Sequence, residues 1–297
     1  MTVIALNARP GQTALTAQVA AYLDAMPATA PIVILLHGYR YDPGQPRSDP
    51  HQFIFSPHRR SRARREPSWP RHLGFARPLP APGLCLPFGW DAVGTLRRAQ
   101  TNAGDAARSL TDLIRALRKA HCAPISLLAH SLGAQIALGA LSQLDAGDVG
   151  RIALLFGAAE RDQALSALRS PAGRAAEVMN VTSRENALFD TLFEWTSRAA
   201  SPAIGRGLSA PNLVTLRIDD PAHRKGLARL GHRIGPHSAY FCHWSAYLRP
   251  GLFPLYRRFL LEPQGLPLAA LRYQLAPVSP ERCATPPSPL WQREYLV

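Results

Sequence analysis

Lysine is nearly missing from this chain. Only Lys119 and Lys225 are present, and the other 32 basic residues are arginine. The formal charge of +14 therefore comes from arginine, in a chain also rich in alanine and proline. Such a charge could serve nucleic acid or an anionic surface, but this pattern reads first as compositional bias. No uninterrupted apolar stretch approaches the ~20 residues of a membrane helix, so no membrane span is expected. Met1 to Pro10 lacks a cationic start and a long apolar run, so no cleaved signal is expected and the cytoplasm is the default compartment. Cysteine is scarce: Cys85, Cys122, Cys242 and Cys283 stand far apart with no CxxC pair. That argues against a disulfide framework and a structural zinc site, and reads as reduced thiols. HExxH spacing and glycine-rich phosphate loops are absent, so no metal and no nucleotide cofactor are expected.

What is present is apolar and patterned. Hydrophobic residues make up 46% of 297 residues, enough for a large core. One domain is expected over 1–262, with a proline- and arginine-rich loop insertion at about 41–82 and a proline-rich tail over 263–297. Ile32–Leu36 is a short apolar run after a proline, as a fully buried strand requires. Further strands are expected near Leu84–Trp90, Ile125–Ala129, Arg151–Gly157, Glu177–Thr182 and Asn212–Ile218. Helical spacing marks about 100–120, Leu132–Leu144, Ala187–Trp195 and Leu252–Leu261. Strands alternating with helices predict an α/β fold, with a mostly parallel central sheet and helices on both faces.

One motif dominates. Ala129-His130-Ser131-Leu132-Gly133 follows a buried strand and opens an amphipathic helix. A serine there projects its hydroxyl above the sheet from a tight turn, the arrangement called a nucleophile elbow. Small residues two positions to each side let strand and helix approach; Ala129 stands where glycine is commoner. An ordinary N-cap serine is the plain structural alternative.

With this elbow, the strand ending in His37-Gly38-Tyr39, and an acid and a histidine later in the chain, the sequence resembles the α/β-hydrolase superfamily over roughly residues 32–261. Thr182-Ser183-Arg184-Glu185-Asn186-Ala187-Leu188 also looks like the post-strand acid turn of small bacterial serine hydrolases, which usually carry Asp where this chain has Glu185. The resemblance implies the α/β-hydrolase fold, a Ser–His–acid triad and an oxyanion hole, with Ser131 as nucleophile. It places the oxyanion donors at the backbone N–H groups of Leu132 and Tyr39, with Gly38 a second choice to Tyr39.

The acid is expected at Glu185, with Asp190, Glu160 and Asp162 as alternatives. The base is expected at His243, directly before the last helical segment, with His237 next. His223 and His232 lie beside fixed positive charge, which suits a base poorly. His130, next to the serine, is read as packing. The expected activity is hydrolysis of an ester-like bond in a small-molecule acyl substrate through an acyl-enzyme. Two rivals remain: a non-catalytic binding module on the same fold, and an anionic-surface or nucleic-acid binder acting through the Arg59–Arg65 cluster. The elbow argues against the latter, so nucleic acid is not an expected partner.

Overall fold

The computed structural model describes residues 2–8, 15–58, 67–75, 83–236, 240–262 and 264–275. The Arg59–Arg65 cluster, His237 and Cys283 lie outside them. The chain begins with two short strands, β1 (Thr2–Val3) and β2 (Leu6–Asn7), followed by helix α1 (Ala17–Ala25) and strand β3 (Ile32–Leu36). Within the expected insertion the described residues include a 3₁₀ turn, Pro50–Gln52, and a short helix, α2 (Trp69–His72), capped by Ser68. Then come β4 (Leu84–Gly89), α3 (Leu96–Ala120), β5 (Ile125–His130), α4 (Gly133–Leu141) and β6 (Val149–Leu155). The second half holds α5 (Arg161–Arg169), α6 (Pro171–Ala175), β7 (Glu177–Thr182), α7 (Ala187–Ser197), β8 (Leu213–Arg217) and α8 (Pro221–Arg229). The last described elements are α9 (Ser245–Leu248), α10 (Leu252–Leu261) and α11 (Leu268–Gln274). None of the described helices is long and apolar enough to cross a membrane.

The strands form one sheet in the order β1-β4-β3-β5-β6-β7-β8, with β2 also pairing β4, and every pairing is parallel. Parallel strands need crossovers, and the helices that supply them cover both faces, so strands here are apolar on both sides. Along β3, Ile32, Ile34 and Leu36 face one core while Val33 and Leu35 face the other. The first core lies against α1, α3 and α4; the second lies against α2, α8, α10 and α11. Each fully buried Val, Leu or Ile stabilises by about 1.5–3 kcal/mol over an exposed one.

Past residue 262, α11 buries Leu268 and Leu271 against the second core. The expected insertion also contributes core: Ile54, Phe55, Trp69 and Leu73 are buried.

The strand order decides where a site can form. From β3 the chain passes to β4 on one side, and β5 takes the place on the other side. That is a topological switch point, and a crevice opens there beyond the carboxyl ends of the strands. The residues directly after β3 and β5 are His37-Gly38-Tyr39 and Ser131.

Candidate active site

Ser131 directly follows β5 with φ of 54°, in the left-handed region that non-glycine residues rarely occupy. Holding it there costs about 1–3 kcal/mol, so the surroundings must over-determine it. They do. Its N–H donates to the Leu155 carbonyl on β6 at 3.1 Å, and its carbonyl accepts from Ala134 and Ala158 N–H at 3.0 and 2.9 Å. Close packing completes the turn. A Cβ on Gly133 would lie 2.7 Å from both the Leu36 and His37 carbonyl oxygens, and one on Gly38 would lie 2.6 Å from Ser131 Cβ. Glycine at these two positions lets the end of β3 touch the elbow.

The β3 end is held by His37. Its Nε2 accepts from the Trp90 backbone N–H at 3.1 Å, so Nδ1 carries the proton and donates to the Gly38 carbonyl at 2.8 Å. The Trp90 indole N–H donates to the His37 carbonyl at 3.1 Å, and the two rings stack. Burial lowers the His37 pKa to about 3, so the ring stays neutral. Tyr39 follows, and its hydroxyl donates to the Gly94 carbonyl. No hydrogen-bond partner for the backbone N–H of Tyr39 or Leu132 is found among the described residues.

Ser131, His130, Tyr39, Leu132, Asn186, Asp190 and His243 all line one cavity of about 680 Å³. Much of the remaining wall is apolar and aromatic, including Phe53, Leu96, Phe156, Phe189, Leu192 and Phe193. Among the described residues no hydrogen bond joins Ser131 to His243. Catalytic contacts are often open before substrate binds.

His243 is fixed on its other side. Its Nδ1 lies 2.7 Å from the Asn186 side-chain oxygen. An amide oxygen only accepts, so Nδ1 is the protonated nitrogen and Nε2 carries the free lone pair. Phe189 stacks on the ring at 4.7 Å, and His130 packs against it at the same separation. Burial, with a smaller contribution from His130, holds the His243 pKa well below its ordinary value. His130 is itself buried. Its Nε2–H donates to the His243 backbone carbonyl at 3.0 Å, and burial lowers its pKa to about 4. It packs, as expected, while also holding the His243 backbone.

The carboxylate expected beside the histidine, Glu185, does not face His243. Glu185 is buried, but its carboxylate is ion-paired with the buried Arg249, and the group on His243 Nδ1 is the next residue, Asn186. Residues 184–186 form a single 3₁₀ turn. Each residue there advances about 120°, so neighbours point in different directions. The Glu185 backbone carbonyl accepts from Cys242 N–H at 3.2 Å, which ties this turn to the His243 loop. The sequence does not mark Asn186, because an amide is not titratable. The available signal was its place one residue after Glu185, in the same post-strand turn.

The remaining candidates are placed elsewhere. Glu160 accepts from the Ala200 and Ser201 N–H groups at 3.0 and 3.3 Å. Asp162 donates its backbone N–H to Ser201. The His223 ring accepts from Arg217 N–H at 2.9 Å, and neither His223 nor His232 lines the cavity. Asp190 is close to the site but one step removed: its carboxylate accepts from Asn186 Nδ2 at 2.9 Å. No group of three or more His, Cys, Asp or Glu side chains arranged to hold a metal occurs among the described residues.

No protein-family model matches the chain, and no curated protein matches it. Among solved structures it is similar to a lipase-esterase related protein from Clostridium acetobutylicum ATCC 824, at 11% identity, over 67% of this chain and 89% of that one, with a TM-score of 0.36.

Proposed function

We propose that this protein is a serine hydrolase of the α/β-hydrolase type that cleaves an ester-like bond in a small, largely apolar acyl substrate. The observation that carries the reading is the pairing, in one cavity, of a strained Ser131 with a neutral histidine whose Nδ1–H is engaged. A serine hydroxyl is a weak nucleophile without a base, and His243 Nε2 has the lone pair for that role.

On substrate binding the Ser131 hydroxyl meets His243 Nε2. Its oxygen attacks the carbonyl carbon as its proton passes to Nε2. The carbonyl oxygen becomes an oxyanion, held by the backbone N–H groups of Tyr39 and Leu132. Collapse expels the alcohol, which takes the proton from Nε2, and leaves an acyl group on Ser131. Water then repeats the sequence, giving its proton to Nε2, and the acid departs as Ser131 regains its own. Asn186 keeps the Nδ1 proton in place throughout. An amide stabilises the imidazolium less than a carboxylate does, so modest turnover is expected.

A second reading, a non-catalytic binding module, draws on that same amide and on the open Ser131–His243 contact. The test is hydrolysis of p-nitrophenyl butyrate by wild type, Ser131→Ala and His243→Ala. The hydrolase reading expects both variants to lose activity by about 10³-fold or more. A wild type no faster than Ser131→Ala would favour the binding module.

A further inference from the structure

We propose that Asp190 is a positioning residue: by accepting from Asn186, it holds the side-chain amide in the one orientation that leaves His243 Nε2 unprotonated. The proposal rests on the hydrolase reading for its functional meaning, but its geometry stands alone.

Asn186 lies between two neighbours. Its oxygen is 2.7 Å from His243 Nδ1, and its nitrogen is 2.9 Å from Asp190 Oδ1. Asn186 and Asp190 are both buried, so the two hydrogen bonds lie largely out of solvent. An amide turned by 180° exchanges its donor and acceptor ends, and only its neighbours decide between the two states. An ionised carboxylate accepts and cannot donate. Asp190 in that form takes the NH₂ end, and the oxygen is left for His243 Nδ1–H. A protonated Asp190 can donate to the amide oxygen. The turned amide then donates to Nδ1, the ring proton moves to Nε2, and no base faces Ser131.

Asp190 has little freedom to act otherwise. It sits in the first turn of α7, and the backbone at Gly205, in the 3₁₀ turn Ile204–Arg206, abuts its carboxylate so closely that a Cβ there would collide with it. The charged groups that act on it are Arg206, from that turn, and Glu194, one helical turn along α7. Arg206 favours the ionised form and Glu194 opposes it. The Arg206 guanidinium is itself bound to Glu194, at 2.7 and 2.8 Å. Burial dominates and raises the Asp190 pKa to about 7. Between pH 6 and 8 the amide therefore has a neighbour that changes from donor to acceptor.

The experiment is long-range ¹H–¹⁵N NMR of protein labelled at histidine, with His243→Gln to assign the signal, on three proteins: wild type, Asp190→Asn, and the exchange variant Asn186→Asp/Asp190→Asn. In the exchange variant the carboxylate faces His243. It accepts Nδ1–H with one oxygen, and with the other it accepts from the amide introduced at position 190. At pH 8.5 the proposal expects His243 to carry its proton on Nδ1 in wild type and in the exchange variant. It expects a mixture of tautomers in Asp190→Asn. Kinetics on the same proteins should show kcat lowered by about 10–100-fold in Asp190→Asn with KM little changed. The acid limb of kcat/KM, near pH 7 in wild type, should be lost, and the exchange variant should recover most of kcat. A purely structural Asp190 would lower melting temperature without moving tautomer or acid limb. An unchanged Nδ1 tautomer in Asp190→Asn overturns the proposal. A wild type with the expected tautomers but no hydrolysis would instead refute the hydrolase reading.

Discussion

The side chains of Asn186 and His243 are joined by a 2.7 Å hydrogen bond, in which the amide oxygen accepts from the imidazole Nδ1–H. This places an amide where a carboxylate was expected, and it separates two residues that are adjacent in sequence. Asn186→Ala should leave the ring without an orienting partner and lower kcat by about 10²–10⁴-fold. Glu185→Gln should act on stability instead. It leaves the buried Arg249 without a counter-charge, which costs about 3–5 kcal/mol when one partner of a buried pair is removed. Steady-state kinetics and urea melts on the two variants separate these outcomes. A Glu185→Gln enzyme that is stable but inactive would contradict the assignment.

The two glycines at the elbow give a second prediction. Gly38→Ala puts a methyl group 2.6 Å from Ser131 Cβ, and Gly133→Ala puts one 2.7 Å from two backbone carbonyls. Neither neighbour is the loose end of a flexible side chain. Gly38→Ala should therefore push the Tyr39 N–H away from the serine and lower kcat by about 10²–10³-fold, the effect of losing one oxyanion donor. Gly133→Ala should also lower melting temperature, because the start of α4 must move away from β3.

Three buried neutral histidines make the fold sensitive to acid. His37 is held at about 3, His130 at about 4, and His243 well below 6.5. Unfolding frees each to bind a proton below pH 6.5. Their contribution to stability is thus complete above pH 6.5 and is lost as pH falls, by about 1.4 kcal/mol per pH unit for each, down to about 3 for His37 and about 4 for His130. Asp190 works in the opposite sense: its raised pKa of about 7 contributes stability that is lost as pH rises from 3.8 through 7. Three groups outweigh one, so urea midpoints should fall between pH 6.5 and 5. A flat profile there would mean that these rings are not held neutral.

The apolar wall predicts chain-length preference. A cavity of about 680 Å³ lined by Phe53, Leu96, Phe156, Leu192 and Phe193 has room for more than an acetyl group. Each buried CH₂ is worth about 0.8 kcal/mol, roughly fourfold in kcat/KM. Values for p-nitrophenyl esters should therefore rise from acetate to hexanoate, and Leu192→Asp should flatten that rise. Equal values across the series would place the acyl group elsewhere.

Much of this was legible in the sequence for local reasons. β3 and β5 are short, apolar and bounded by breakers, and the run from Ala129 to Gly133 needs small residues at fixed offsets. Those signals lie within ten residues. His243 is marked in the sequence only by its place before the helical segment 252–261; in the structure it lines the cavity with Ser131. The group on its Nδ1 was not legible. Glu185 or Asn186 could have faced the histidine, and the choice follows from the 3₁₀ turn and from Arg249, which sits 64 residues later. The edge strands β1 and β2, of two residues each, carry too little pattern to be read. α11 was hidden by the prolines around it, although Leu268 and Leu271 have helical spacing.

The most direct measurement is the site of covalent capture by a fluorophosphonate probe, mapped by peptide mass spectrometry on wild type and on Ser131→Ala. The account predicts one adduct, on Ser131, formed slowly in Asn186→Ala and absent from Ser131→Ala while circular dichroism stays unchanged. Capture at another serine that persists in Ser131→Ala, or no capture of the wild type at all, would contradict it.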